Sequence, residues 1–246
     1  MSKPKILCLD IETAPALVYA WGLFDQNIGL NQIVSPGRTI MVGAKWFGEK
    51  GIMQWDEFKD GSTKMFSEVR EVLTDADAVV TFNGDRFDLP RLKGHIIENR
   101  LQPVPPLSSI DLLKTVRKMG LQSNKLAYVS EYLGIGQKVK NEGFPLWKGC
   151  MDGDGSAWKK MRTYNKGDVL LTERLYDVLR PHIGNHPYLG ARQNAAIKDS
   201  YECPHCHKVT MRYQKRGYQR TRTTCTPRIQ CLECGGWGRG KQEKVL

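Results

Sequence analysis

The chain has 246 residues, 40% of them hydrophobic and 26% charged, a composition that lets it bury a core without disulfides. Its 37 Lys and Arg residues against 26 Asp and Glu residues give a net charge of +11, which favours a polyanionic partner. No apolar run approaches the roughly 18 residues that a membrane span needs, so we expect a soluble, intracellular, cytoplasmic protein with no membrane partner.

The first predicted elements are strands with a long irregular stretch among them. Short apolar runs predict three strands, over residues 5–9, 39–47 and 52–55. The stretch between residues 13 and 38 is too long for a plain connection, so we expect a functional flap or short helices there. Its aromatic residues Trp21 and Phe24 are assigned to the core rather than to a base-stacking site.

Helical and strand-like patterns alternate through the middle of the chain. They predict helix, strand, helix, strand and helix, over residues 64–73, 78–82, 88–99, 107–112 and 125–133. An apolar stripe between residues 155 and 179 predicts a long final helix. These elements indicate a mixed α/β layer over residues 1–190, followed by a polar linker at 191–200 and a distinct segment at 201–246.

Two carboxylates follow the first predicted strand. Strand alternation places Asp10 and Glu12 on one face, where they repel each other and resist desolvation. A divalent cation with a preference for oxygen ligands, such as Mg²⁺ or Mn²⁺, would offset both costs. The spacing alone also fits a solvated strand end with two unrelated acids.

Further acidic residues follow the fourth strand and lie on the last long helix. Asp88 comes shortly after the strand, and the Leu-Pro pair behind it also suits a helix N-cap. Tyr164 and Asp168 are four residues apart and therefore share one helix face. Each of these signals is weak alone. Asp111 is interpreted as a helix cap, and residues 152–155 as a turn.

The three acidic motifs occur in a characteristic order. Asp-x-Glu at 10–12, Asn-x-x-x-Phe-Asp at 83–88 and Tyr-x-x-x-Asp at 164–168 resemble the DEDD superfamily of 3′–5′ exonucleases. The chain is most similar to the tyrosine branch, which includes the proofreading domains of family-B DNA polymerases and stand-alone phage relatives. The other branch has His at the position of Thr163. The resemblance covers roughly the first three quarters of the chain.

The resemblance implies a ribonuclease H-like mixed five-stranded sheet flanked by helices. It also implies that Asp10, Glu12, Asp88 and Asp168 hold two Mg²⁺ or Mn²⁺ ions for an in-line displacement, and that Tyr164 orients the attacking water. The expected reaction releases nucleoside 5′-monophosphates from the 3′ end of a nucleic acid, DNA in preference to RNA. A separate polymerase or replication protein is a candidate partner, and a phage-encoded enzyme would act in the host cytoplasm.

Two Cys-x-x-Cys motifs occur in the C-terminal segment, and the chain has seven cysteines in all. Four thiolates in paired motifs are typical of one structural Zn²⁺ with closed tetrahedral coordination, here Cys203, Cys206, Cys231 and Cys234. Disulfides are disfavoured in the cytoplasm, and a redox motif lacks its usual βαβ surroundings. Three residues remain substitute ligands: His205, His207 and Cys225.

The segment around these cysteines is strongly basic, with ten Lys and Arg residues against three Glu residues. Between the two motifs, aromatic side chains are interspersed among basic ones, as expected for phosphate contacts combined with base stacking. The candidate nucleic-acid-binding residues are Arg212, Lys215, Arg216, Tyr218, Arg220 and Arg222. We interpret the segment as a basic zinc ribbon, with a solvated hairpin or a protein-docking module as the alternatives.

Two other functions remain open. A ribonuclease H-type or junction-resolving endonuclease would use the same fold, although the Asp-x-Glu pair and the Tyr-x-x-x-Asp helix favour an exonuclease. A catalytically silent nucleic-acid-binding or adaptor protein is the second alternative. The presence of all four acids and the tyrosine argues against it.

Overall fold

A computed structural model describes residues 4–187, 201–220, 224–240 and 243–244. The predicted linker at 191–200 lies outside these residues. Within the described ranges, none of the helices combines the length and the apolar character that crossing a membrane requires.

The N-terminal part alternates strands and helices. Its strands are β1 (Ile6–Ala14), β2 (Leu17–Val18), β3 (Ile33–Ser35), β4 (Arg38–Trp46), β5 (Met53–Asp56), β6 (Ala78–Thr81) and β7 (Ser108–Asp111). Its helices are α1 (Glu57–Asp60), α2 (Ser62–Asp75), α3 (Asp88–Glu98), α4 (Leu112–Val116), α5 (Leu126–Tyr132), α6 (Phe144–Met151) and α7 (Gly155–Leu179). Short 3-10 turns occur at Leu30–Gln32 and Arg180–His182.

Five of these strands form the central sheet, in the order β5-β4-β1-β6-β7. Strand β6 runs parallel to β1 and to β7, whereas β4 is antiparallel to both β1 and β5. Helices cover both faces of the sheet. The predicted mixed five-stranded sheet flanked by helices is therefore confirmed.

Strand β1 supplies side chains to two separate cores because its residues alternate between the faces of the sheet. Leu7, Leu9 and Ile11 pack with α2 and α3 on one face. Ile6 and Cys8 pack with α4, α5 and α7 on the other face. Asp10 and Glu12 follow Cys8 by two and four residues, so the same alternation places them on the face of the sheet that α7 covers.

The first strand is longer than predicted, since it runs through both acids to Ala14 rather than ending at Leu9. The reason is that β4 pairs with it along its whole length, from Leu7 opposite Trp46 to Ala14 opposite Arg38. The backbone hydrogen bonds of this pairing hold the polar residues in the strand, which an apolar pattern does not reveal.

Three helices were not predicted. Helix α1 has only four residues, which are too few to show a helical pattern. Helix α4 has five residues and follows β7 without a gap, so its apolar residues resemble a continuing strand. Helix α6 carries Pro145 in its first turn and Gly149 near its end, which weakens its helical signal.

The predicted flap contains the short β2–β3 pair and one 3-10 turn. Placing Trp21 and Phe24 in the core was wrong, because their exposed fractions are 98% and 83%.

Helix α7 lies unusually close to the sheet at Gly43 of β4, the residue paired with Asp10. A Cβ atom at Gly43 would lie 2.0 Å from Oδ1 of Asn165 and 3.0 Å from Cγ2 of Val169. Only glycine leaves room for this approach. The missing side chain therefore allows α7 to present its polar residues directly above Asp10.

The C-terminal part consists of short strands: β8 (Tyr201–Glu202), β9 (Val209–Thr210), β10 (Tyr213–Arg220), β11 (Thr224–Cys231), β12 (Trp237–Arg239) and β13 (Glu243–Lys244). Strands β8 and β9 form an antiparallel pair. Strand β11 pairs antiparallel with β10, β12 and β13. The two Cys-x-x-Cys motifs fall at the β8–β9 turn and at the β11–β12 turn.

Candidate active site and cysteine cluster

Three of the predicted acidic residues converge between β1 and α7. Carboxylate oxygens of Asp10, Glu12 and Asp168 all lie within 4.8 Å of one another. Glu12 and Asp168 are buried, with exposed fractions of 7% and 3%. Strand alternation and the close approach of α7 therefore bring together residues that are more than 150 positions apart in the sequence.

Asp88 lies beside this group rather than within it. Its Oδ1 accepts a hydrogen bond of 3.2 Å from the backbone N–H of Ile11. Strand β6 pairs with β1 only as far as Cys8, so this edge of β1 is open at Ile11 and the carboxylate takes the place of a strand partner. The sequence suggested that Asp88 could be the N-cap of a helix. Instead, Asp88 is the first residue of α3, and Phe87 is its N-cap.

The shared burial makes these carboxyl groups hard to ionise without a cation. Burial, together with the Asp168 charge, raises the pKa of Glu12 to about 8. Burial also raises the pKa of Asp88 to about 7, and it raises the pKa values of Asp10 and Asp168. A carboxyl group with a raised pKa stabilises the folded state at low pH. For Glu12 this stabilisation is complete below the ordinary value of 4.5 and is lost as the pH rises through about 8.

The donor set fits a divalent cation. In addition to the clustered oxygens, Oδ1 of Asp168 is buried and has no hydrogen-bond partner among the described residues. A buried carboxylate oxygen without a partner is costly, and a metal ion with oxygen ligands would satisfy it. Asp10, Glu12 and Asp168 can therefore hold one such ion, with Asp88 within electrostatic reach of the same site.

Lys138 is a site residue that sequence reasoning missed. Its Nζ lies 2.9 Å from Oδ2 of Asp168 and 4.9 Å from the centre of the Tyr164 ring. The charge of Lys138 opposes the effect of burial on the pKa values of Asp10, Glu12 and Asp168. It comes from the loop between α5 and α6, where no periodic pattern marks it.

Tyr164 lies one helical turn before Asp168, as predicted, and its side chain is buried. Burial and the nearby Asp168 carboxylate raise the pKa of Tyr164 to about 12, against the opposing effect of Lys138. The phenol is therefore neutral near pH 7. A neutral phenol can orient a water molecule or a phosphate oxygen by a hydrogen bond, but it cannot act as the base.

Asn165 is the second missed residue. Its Nδ2 donates a 3.1 Å hydrogen bond to Oδ2 of Asp10, and its Oδ1 accepts one of 3.4 Å from Gln54. The amide thus fixes the orientation of the Asp10 carboxylate. Its spacing of three residues from Asp168 places both on one side of α7, which is a signal that could have identified it.

Asp111 supports the turn that precedes Asp88. It caps α4 by accepting from the N–H of Leu113 at 3.1 Å, which confirms the predicted cap. It also accepts from the N–H of Asn83 at 2.8 Å. Residues 152–155 form the predicted turn, in which Asp154 caps α7 through the N–H of Ser156.

The four cysteines of the paired motifs form a compact group in which all four sulfur atoms lie within 4.8 Å of one another. The Sγ atoms of Cys203 and Cys234 are 3.6 Å apart, and those of Cys206 and Cys231 are 3.9 Å apart. Zn–S bonds of about 2.3 Å in a tetrahedron require S–S separations of about 3.8 Å. A disulfide would need about 2.05 Å. The group therefore has the dimensions of a four-thiolate zinc site.

Both cysteine turns have the same backbone path. The N–H of His207 donates to the carbonyl of Cys203 at 3.0 Å, and the N–H of Gly235 donates to the carbonyl of Cys231 at 2.9 Å. Both donors have a positive φ, 56° for His207 and 75° for Gly235. His205 Nε2 is 2.7 Å from the carbonyl oxygen of Trp237. The side chain of Cys225 lies outside the description.

The predicted nucleic-acid-binding residues are described only in part. Arg212 forms an ion pair with Glu233 at 3.2 Å, and Lys215 is exposed on β10. Arg216, Tyr218 and Arg220 belong to β10 by their backbone, but their side chains lie outside the description. Arg222 lies outside the described residues altogether.

A comparison with protein-family models agrees with this geometry. The model of the RNase_H superfamily, RNase_H_2, matches residues 7–180, a segment that contains all four acids, Tyr164, Lys138 and Asn165. No curated protein matches the chain. The match covers most of the chain and indicates a nucleic-acid-cleaving, metal-dependent hydrolase. The chain belongs to the RNase H superfamily.

Proposed function

We propose that this chain is a 3′–5′ exonuclease of the tyrosine branch that releases nucleoside 5′-monophosphates, with DNA preferred over RNA. One observation carries the proposal. Residues from β1 and α7 bring three carboxyl groups and the phenol of Tyr164 together, with Asp88 of α3 beside them, in the motif order of that branch. The RNase H fold alone would fit an endonuclease equally well, so the proposal depends on Tyr164 and Asp168.

Asp10, Glu12, Asp88 and Asp168 would hold the divalent ions, Mg²⁺ or Mn²⁺. When bound, such ions make hydroxide available near neutral pH and stabilise the charge on the attacking and leaving oxygens of an in-line displacement. The other residues position groups for this step. Tyr164 donates a hydrogen bond that orients the attacking water.

Two further side chains control the acidic group. Asn165 holds Oδ2 of Asp10 through its amide, so that this carboxylate has one defined orientation. The ammonium group of Lys138 contacts Asp168, so it holds that carboxylate in place and favours its ionised form. Both are positioning residues, since each acts through a carboxylate.

The C-terminal segment at 201–246 is proposed to be a structural zinc ribbon that binds nucleic acid, beside an exonuclease domain at 1–190. The separations of the four sulfur atoms support zinc. The excess of basic residues supports a polyanionic ligand, with Lys215 exposed on β10. A separate polymerase or replication protein is the proposed partner.

The polarity of hydrolysis tests the proposal. Single-stranded DNA and RNA oligonucleotides labelled at the 5′ end are incubated with the protein and Mg²⁺ or Mn²⁺. We expect labelled products that shorten one nucleotide at a time, because the enzyme removes residues from the free 3′ end. The same oligonucleotide with a blocked 3′ end should resist degradation.

Each alternative gives a different result in this experiment. Internal cleavage of the blocked oligonucleotide would replace the exonuclease with an endonuclease. Tight binding without turnover in either metal would indicate a nucleic-acid-binding protein. The ratio of the rates on DNA and RNA measures the proposed preference for DNA.

A further inference from the structure

A groove lies next to the acidic site, between the loop at 139–142 and the second and third turns of α7. Its volume is about 560 Å³, which is within the range of small-ligand sites. Tyr164 lines the groove and also borders the carboxylates, so the groove leads directly out of the site. Val139 and Leu146 contribute apolar surface to it.

The groove carries a net positive charge, with three lysines against one glutamate. Lys140 lies on the loop side, and Lys159 and Lys160 lie on the helix side. Lys160 forms an ion pair with Glu142, which also lines the groove. Lys140 and Lys159 are exposed, and neither has an ion-pair partner in the part of the chain that the structure describes. Two uncompensated cations thus face the groove.

The loop wall is fixed against α7. A Cβ atom at Gly167 would lie 2.5 Å from Cγ2 of Val139, so the absence of a side chain at Gly167 lets the loop rest on the helix. The residue before Val139 is Lys138, which is bound to Asp168. The contact between Val139 and Gly167 therefore fixes both the loop wall of the groove and the position of Lys138 in the acidic site.

We infer that this groove binds the phosphodiester backbone of the strand on the 5′ side of the cleaved bond. The inference rests on the proposed exonuclease activity and adds the path of the substrate to it. A leaving nucleoside monophosphate carries only the scissile phosphate, which the acidic site holds. Any further phosphate near Lys140 and Lys159 must therefore belong to the strand that remains.

The double variant Lys140→Ala/Lys159→Ala tests this path. On a single-stranded hexanucleotide, KM should rise about tenfold with little change in kcat, because two charged contacts to phosphate are lost. The slope of log(kcat/KM) against log salt is negative, and it should become less negative by about 1.4, since each lost phosphate contact accounts for about 0.7. On a dinucleoside monophosphate, which has only the scissile phosphate, the variant should match the wild type.

Lys166→Ala is the matched control, since Lys166 is an exposed lysine on the same helix that does not line the groove. It should keep the wild-type KM and salt slope. An unchanged KM and slope for the double variant on the hexanucleotide would overturn the inference, as would an equal loss on the dinucleoside monophosphate. If the shorter substrate is cleaved too slowly to measure, the salt slope decides. A wild-type protein that cleaves neither substrate would instead refute the proposed function.

Discussion

Asp168→Asn is expected to lower kcat by about a thousandfold or more while leaving the protein folded. The substitution keeps the shape of the side chain but removes the charge that a divalent ion requires. Asp168 is buried, and burial raises its pKa, so its ionised form costs free energy in the metal-free protein. The melting temperature without added Mg²⁺ should therefore stay the same or rise. Steady-state hydrolysis and thermal melting measure the two effects.

Asp177→Asn provides the matched control. Asp177 lies on the same helix, its side chain is 62% exposed, and it pairs with Arg180 at 3.4 Å on the surface. This variant should keep kcat within about twofold of the wild type, because exposed ion pairs contribute little. An Asp168→Asn enzyme with more than about a tenth of wild-type activity would show that Asp168 is not a metal ligand.

Cys231→Ser is expected to unfold residues 201–240 while the N-terminal part keeps its own melting transition. Among the described side chains of this segment, Ile229 is the only large aliphatic one that is buried. So small a core cannot hold the segment together, whereas a structural zinc ion contributes about 10–16 kcal/mol. Zinc content and limited proteolysis of the purified protein measure the loss.

The control for this experiment is Cys150→Ala. Cys150 is buried in α6 and is not a member of the cysteine group. Its replacement should leave one zinc per chain and the same resistance to protease in residues 201–240. Wild-type protein without zinc, or a Cys231→Ser protein that retains both zinc and protease resistance, would rule out the structural zinc site.

The order of the main elements could be predicted from hydrophobic periodicity, but their ends could not. The acids of β1 lie within a strand because β4 pairs with them, and this long-range pairing leaves no local pattern. Similarly, the exposure of Trp21 and Phe24 depends on what packs against the flap. Sequence rules assign aromatic residues to the core because that is their average location.

The acidic site was more predictable than its supporting residues. Asp10 and Glu12 share a face by strand alternation, and Tyr164 and Asp168 share one by helical spacing, so local geometry already pairs them. Lys138 reaches the site from a loop, and its contact with Asp168 depends on the fold. The role of Gly43 also depends on the fold, because only the packing of α7 shows why a side chain is excluded there.

The central claim is that the four carboxyl groups bind divalent ions, and Mn²⁺ titration of the zinc-loaded protein tests it most directly. Electron paramagnetic resonance of the free ion gives the number bound and the affinity. The pKa of Glu12 is raised to about 8 and that of Asp88 to about 7, so a metal ion must displace protons from these carboxyl groups. The affinity for Mn²⁺ should therefore increase with pH. We predict two Mn²⁺ per chain, bound at least about tenfold more tightly at pH 8 than at pH 5.5, and lost in Asp10→Asn. Equal Mn²⁺ binding by the wild type and Asp10→Asn at both pH values would contradict the account.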